Sequence, residues 1–317
     1  MKLSNKIIVV VISIIGLYAG FLIISDLATI SDKISNFDTN FIPLIFLLVT
    51  SGWLVLFFRW HLLLRNSKIF IPVKDSFLIY TSGFSLTIIP GKVGELLKSQ
   101  LLKSKFNIPR TKTVPIVLLE QLYTVIGIIA ISMFGIWYFE LGVYVFIFFT
   151  IALIVVFTLI SSRKLFDKTI KFLGKRKFTS KFVTPLSSSY DSIKDGTRGK
   201  ILLSSSGLSV IFWFIEAATV YLILLAFGIN GIEFLQVIPT YTTSILLGIL
   251  SFLPMGVGVV EGSLVGFFSL QGIETSLAFT VVIIIRLFTR WYPVSFGFIM
   301  LKMSGGLKLK DSNDQEP

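Results

Sequence analysis

The sequence predicts an all-α, polytopic membrane protein, and three observations support this class. Hydrophobic residues make up 54% of the 317 residues, charged residues only 15%, and the mean hydropathy is +0.87. Several apolar runs reach the roughly 18 residues that a bilayer-spanning helix needs. The charges concentrate between these runs. We therefore expect about six full transmembrane helices and two broken or re-entrant helical segments.

The full spans are separated by short loops. The first is predicted at Ile7–Ser25, and we interpret it as an uncleaved span because no small-residue cleavage site follows it. The other five are predicted at about 41–58, 113–139, 141–160, 201–227 and 277–301.

Two further apolar segments are interrupted by proline and glycine. The first covers about residues 76–102 and breaks at Pro90-Gly91-Lys92-Val93-Gly94-Glu95. The second covers about residues 237–270 and breaks at Pro254-Met255-Gly256-Val257-Gly258. The pattern is compatible with either re-entrant hairpins or kinked full spans.

The loops alternate in charge, which predicts the orientation of the chain. Stretch 161–200 contains eleven basic and three acidic residues. The alternate loops are acidic, with Lys33 as their one basic residue; they carry Asp26, Asp32, Asp38, Glu140, Glu233 and Glu274. By the positive-inside rule both termini are cytoplasmic, in a multi-pass protein of the plasma membrane. The net charge of +12 is thus assigned to a membrane surface and not to nucleic acid.

The two broken segments belong to an internal repeat. Tyr80-Thr81-Ser82 precedes the first break as Tyr241-Thr242-Thr243 precedes the second, and 118–122 lines up with 284–288 further along. The loop charges make the first segment enter from the cytoplasm and the second from outside, so the repeat is inverted. Matched broken segments in inverted halves indicate a transport site at the midplane, while ordinary kinked helices are the alternative.

Each break is followed by a new helix start, whose free N–H groups and dipole attract anions. Glycines there allow close approach of a ligand, and a lysine adds charge. Alternatively, Glu95 and Glu261 cap these helices and the glycines allow close packing. The candidate substrate-binding residues of the two breaks are Gly91, Lys92, Gly94, Glu95, Gly256, Gly258 and Glu261.

Charged residues within the spans are the second group of candidates. Each costs about 2.5–3.5 kcal/mol at the bilayer centre unless it is paired or hydrated, which implies a polar interior network or an aqueous cavity. We expect Arg286 to face Glu120 or Glu261 across the repeat axis, and Arg290 to be the freer cation for a phosphate. An internal ion-pair brace without substrate contact is the alternative. These candidates are Glu120, Glu216, Glu261, Arg286 and Arg290.

The composition argues against a metal site, a cofactor and an enzymatic role. The chain has no cysteine, and its single histidine, His61, is expected at the cytoplasmic end of the second span. The basic stretch 163–182 interleaves apolar residues with lysines, as in a helix on an anionic leaflet or a solvated loop. Residues 303–317 are predicted to be a disordered cytoplasmic tail.

The motifs resemble the lysylphosphatidylglycerol synthase transmembrane region, also called the flippase-like membrane domain. Gln121 and Thr124 stand where that family usually has arginine and aspartate. The resemblance implies one flippase-like domain over 1–302, with repeat halves of about 41–160 and 201–302. In a departure from the synthases, the aminoacyl-transferring domain is expected to be absent. It rests on Pro90–Lys98, Leu119–Leu122, Leu253–Glu261, Ile285–Leu287 and Trp291-Tyr292-Pro293 with Gly297.

Members of this family look like lipid flippases. The sequence therefore predicts a translocator that moves an anionic or polyprenyl-phosphate-linked lipid, or glycolipid, between leaflets by alternating access. One alternative is a non-catalytic membrane partner of a lipid-modifying transferase or glycosyltransferase. A metal-dependent lipid-phosphate transferase is the other, although such chemistry needs clustered carboxylates around Mg²⁺.

Overall fold

The computed structural model describes residues 33–87, 95–134, 140–175 and 183–306. All regular structure in these ranges is helical, which confirms the predicted all-α class. The predicted first span, Ile7–Ser25, lies outside the described residues. Five segments of the described chain are long and apolar enough to cross a membrane: Thr39–Asn66, Arg110–Ser132, Gly142–Ser161, Gly199–Ala226 and Thr275–Met303.

Twelve α-helices make up most of the described chain. A π-helical turn at Leu287–Trp291 joins the last two, and 3₁₀ turns occur at Thr39–Phe41, Gly83–Leu86 and Pro254–Gly256. The helices are α1 (Ile42–Asn66), α2 (Val73–Ser82), α3 (Leu97–Phe106), α4 (Arg110–Ser132), α5 (Glu140–Ser161), α6 (Arg163–Gly174), α7 (Val183–Gly196), α8 (Gly199–Ala226), α9 (Phe234–Leu250), α10 (Val259–Leu270), α11 (Thr275–Arg286) and α12 (Tyr292–Met303).

The first broken segment is a re-entrant hairpin, which we call hairpin 1 (residues 73–106). Its arms are α2 and α3, each ten residues long, so each is about 15 Å in length and too short to cross a bilayer. Lys105 near the end of α3 forms an ion pair with Asp75 at the start of α2, with Nζ and Oδ1 2.5 Å apart. The chain therefore enters and leaves at the same end.

The second broken segment, hairpin 2 (residues 234–270), has the same form. Gln271, just past the end of α10, donates from Nε2 to Thr240 Oγ1 in α9 at 2.7 Å. Between the arms, Gly248 and Gly256 lie so close that a Cβ on Gly256 would be 2.9 Å from the Gly248 Cα. Gly256 also has a φ of +67°, a left-handed backbone conformation. Both this conformation and the close approach of the arms therefore favour glycine at this position. This hairpin also returns to the end from which it started.

The two hairpins open at opposite ends of α1, a helix about 37 Å long. Six residues separate the last residue of α1 from the start of hairpin 1. Hairpin 2 follows the end of α8, and there the Asp38 N–H, just ahead of α1, donates to the carbonyl of Ala226 at 2.8 Å. The structure thus shows an inverted arrangement of the two broken segments.

Close contact between α4 and α8 holds the two halves together. A Cβ on Gly127 of α4 would lie 2.5 Å from the Cβ of Ser209 in α8, so only glycine permits this approach. One turn earlier, Thr124 accepts a hydrogen bond from Trp213 Nε1 at its carbonyl, at 2.9 Å. This contact fixes the spacing between the helices that flank the charged interior.

Helices α5 and α6 lie at the periphery. Among the described side chains of α5, seven large apolar ones are exposed, as expected where they meet acyl chains. In α6, Phe166 and Ile170 pack with Tyr190 of α7, whereas Phe172 is 61% exposed. The predicted basic amphipathic stretch is thus helical from Arg163 to Gly174, and its contact with a leaflet stays a prediction.

The C-terminal tail was predicted to be disordered from residue 303. Its first residues are ordered, because α12 includes Met303 and a short turn follows it to Gly306. Residues 307–317 lie outside the described part.

Candidate functional site

A cavity of about 430 Å³, here called the central cavity, lies between the two hairpins. Apolar walls from α1, α8 and α9 surround it, including Trp53, Phe212 and Ile245. Residues of both repeat halves contribute its charge. Its charged lining residues are Arg59, Glu95, Lys98, Glu120, Glu216 and Arg290.

On the side of hairpin 1, three charged residues form what we call the Lys98 cluster. The Nζ atom of Lys98 lies 2.6 Å from Glu120 Oε2 and 2.8 Å from Glu95 Oε2. Lys98 and Glu120 are both 2% exposed, whereas Glu95 is 18% exposed. The rings of Trp60 and Tyr80 lie 5.0 and 5.3 Å from the same Nζ, within cation–π range. One buried ammonium thus joins the returning arm of the hairpin to α4.

On the side of hairpin 2, Arg286 and Glu261 form the corresponding pair. Arg286 Nε lies 2.7 Å from Glu261 Oε1, and Arg286 is fully buried. Its Nη2 also donates to the carbonyl of Met255 at 2.7 Å. Met255 has a φ of +53°, so this bond stabilises a strained backbone turn at the hairpin tip.

These two clusters have the same architecture with exchanged charge. In hairpin 1 the returning arm supplies the cation, Lys98, and the following span supplies the anion, Glu120. In hairpin 2 the returning arm supplies the anion, Glu261, and the following span supplies the cation, Arg286. The prediction that Arg286 contacts Glu120 or Glu261 is right about Glu261 and wrong about its placement. The pair lies within one half and does not cross the repeat axis, because α11 packs directly on the arm that precedes it.

A third cluster, Glu216–Tyr241–Arg290, faces the cavity from the second half. The Tyr241 hydroxyl donates to Glu216 Oε2 at 2.6 Å and accepts from Arg290 Nη2 at 3.2 Å. Arg290 Nη1 lies 3.4 Å from Glu216 Oε2. The side chain of Arg290 is 23% exposed, so it is more accessible than Arg286. It sits in the π-helical turn, a distortion often found at functional sites.

At the start of α10, the carboxylate of Glu261 occupies the position for which the sequence left two alternatives open, a bound anion or a capping side chain. The Gly258 N–H donates to Glu261 Oε2 at 2.7 Å. Gly258 has a φ of +85° and does not line the cavity, whereas Gly256 does. Capping therefore occupies this helix start. The candidates Gly91, Lys92 and Gly94 lie outside the described residues, and Glu95 is the described residue of that break which lines the cavity.

Arg59 is a cavity residue that the sequence analysis missed. We predicted the second span to end at about residue 58, but α1 continues to Asn66 and buries Arg59 to 3% exposure. Its Nη1 donates to Ser209 Oγ at 2.7 Å and its Nη2 to Thr124 Oγ1 at 3.1 Å. The signal was the apolar character of residues 60–64, which continues the span beyond the arginine.

Gln121 and His61 are the remaining polar residues that the sequence singled out. Gln121 also lines the cavity. The ring of His61 is partly exposed on α1, with Nδ1 3.5 Å from Ser76 Oγ. Among the described residues, no three His, Cys, Asp or Glu side chains come together as a metal site would require.

Two oppositely inserted hairpins around a charged cavity, within a bundle of apolar spans, define a polytopic membrane protein with an inverted repeat. The chain belongs to the family described as the lysylphosphatidylglycerol synthase TM region, which it matches over residues 7–297. It is also similar to UPF0104 membrane proteins of archaea. One from Methanocaldococcus jannaschii is 27% identical over 246 residues, covering 74% of this chain and 99% of that protein. Another, from Pyrococcus horikoshii, is 26% identical over 307 residues, covering 87% and 90%.

Proposed function

We propose that the protein translocates a lipid with a phosphate-bearing head group between leaflets, and that it does so without catalysing a reaction. The cargo is an anionic phospholipid or a polyprenyl-phosphate-linked lipid or glycolipid. The observation that carries the proposal is the central cavity, which contains charged side chains from both inverted halves. The family name, which refers to a lipid synthase, agrees with a lipid-related role.

The physical obstacle to lipid translocation is the head group, because a charge in hydrocarbon is costly. A cavity of about 430 Å³ is of the size that holds a small polar ligand. The acyl chains then stay in the bilayer beside the protein. Hairpins that open at opposite ends give the cavity a route to each face in turn, by relative rocking of the two halves. We place both termini in the cytoplasm of the cell, in the plasma membrane.

Reconstitution in liposomes tests this function. Fluorescent derivatives of phosphatidylglycerol and of a polyprenyl phosphate are quenched from the outer leaflet by a membrane-impermeant reductant. The protein is expected to expose inner-leaflet label to the quencher much faster than protein-free liposomes do. Absence of acceleration with every anionic and isoprenoid lipid tested would contradict the proposal.

Arg290→Gln is expected to slow this exchange by about 10–100-fold, because a charge-assisted hydrogen bond to the head group contributes about 1.5–3 kcal/mol. The control is Lys302→Gln, on the same span but exposed, which is expected to leave the rate unchanged. Equal rates for Arg290→Gln and the control would remove Arg290 from the transport site.

A further inference from the structure

The buried cations that line the cavity differ in what neutralises them. Lys98 is shared by two carboxylates, and Arg290 lies beside Glu216. Arg286, behind the cavity wall, pairs with Glu261. Arg59 has only hydroxyl partners: no carboxylate of the described residues lies within ion-pair distance of it. Among the described residues its Nε has no hydrogen-bond partner either.

The hydroxyls that hold Arg59 are themselves oriented by the backbone. Ser209 Oγ donates to the carbonyl of Ser205 at 2.7 Å, and Thr124 Oγ1 donates to the carbonyl of Glu120 at 2.8 Å. Each hydroxyl hydrogen is thereby used, so its lone pairs face the guanidinium. This arrangement positions Arg59 on the cavity wall and leaves its buried Nε–H without an acceptor among the described residues. Two Nη hydrogens are also left for an acceptor, since a guanidinium carries five N–H donors.

Glu120 and Glu95 act on Arg59 electrostatically from beyond ion-pair distance. A buried cation without a directly paired anion is costly, because neutral hydroxyls replace only part of the lost hydration. The cavity that Arg59 lines offers room for the missing acceptor. We infer that Arg59 is an anion-binding residue of the central cavity, in addition to Arg290, and binds a phosphate group through two of its N–H donors that have no acceptor among the described residues. A phosphodiester matches this planar fork in a bidentate manner. The lipid identity of the ligand rests on the function proposed above.

Binding to purified protein in detergent micelles tests this inference with phosphatidylglycerol, neutral diacylglycerol and inorganic phosphate as separate probes. We expect phosphatidylglycerol to bind the unmodified protein, and Arg59→Gln to weaken that binding by about 10–100-fold. Arg59→Lys keeps the charge without the fork and is expected to fall between the two. Arg65→Gln, exposed on the same helix, is the matched control and is expected to bind normally.

Thermal unfolding without ligand verifies that each variant is folded. Equal phosphatidylglycerol affinity in Arg59→Gln and the control would overturn the inference, and so would an equal loss of diacylglycerol binding, which indicates a structural role. Arg59-dependent binding of inorganic phosphate as tight as that of phosphatidylglycerol would overturn the lipid assignment. Arg59-dependent lipid binding without translocation supports the inference while refuting the proposed function. Translocation that Arg59→Gln leaves unchanged refutes only the inference.

Discussion

Replacing Lys98 with methionine is expected to lower the free energy of unfolding by about 3–5 kcal/mol. The substitution removes the ammonium between Glu95 and Glu120 and leaves two carboxylates facing each other, of which Glu120 is 2% exposed. Titration with sodium dodecyl sulfate in mixed micelles, followed by tryptophan fluorescence, measures this quantity.

Two further variants test whether the loss of stability in Lys98→Met comes from the loss of charge pairing. Lys103→Met changes an exposed lysine of the same helix and is expected to alter stability by less than about 0.5 kcal/mol. Exchange of the two charges, Lys98→Glu with Glu120→Lys, keeps one cation and two anions in the cluster and is expected to recover part of the lost stability. If Lys98→Met costs no more than Lys103→Met, the Lys98 cluster does not fasten hairpin 1 to α4.

Arg286→Met is expected to have an effect of similar size, about 3–5 kcal/mol, for the same physical reason. It leaves Glu261 without its cation and removes the donor to the Met255 carbonyl. The local consequence distinguishes it from Lys98→Met. Backbone amides around Met255 are expected to exchange with deuterium faster, because the turn loses the bond that holds it.

The matched control is Lys302→Met, which changes an exposed lysine at the end of the same span. Exchange at hairpin 2 is expected to be unchanged in this variant. Unaltered exchange at the tip of hairpin 2 in Arg286→Met would contradict a role for Arg286 in holding that turn.

The membrane class and the approximate spans could be predicted because apolar length is a direct physical requirement of the bilayer. The intramembrane charges Glu120, Glu216 and Arg286 could also be identified, since a charge inside an apolar run is conspicuous. Their pairing could be predicted only in part, because the sequence left both Glu120 and Glu261 open as the partner of Arg286. Helical spacing shows which residues share a face, but the rotation of each helix against its neighbours depends on packing contacts such as the one at Gly127.

Arg59 was missed for a related reason. A span boundary set at the first charged residue treats that residue as solvent-exposed, whereas α1 runs on to Asn66 and turns Arg59 inward. The choice between re-entrant hairpins and kinked spans also lay beyond the sequence. Both use proline and glycine at a break, and contacts between distant residues, such as Lys105 with Asp75, distinguish them.

The oppositely inserted hairpins are the basis of the whole account, and cysteine labelling tests them most directly. The chain has no cysteine, so single cysteines can be placed at the exposed positions Lys103, in hairpin 1, and Asn230, just before hairpin 2. In intact cells a membrane-impermeant maleimide is expected to label Asn230→Cys, and Lys103→Cys only after permeabilisation. Labelling of both positions from the same side would contradict the inverted arrangement and, with it, transport by alternating access.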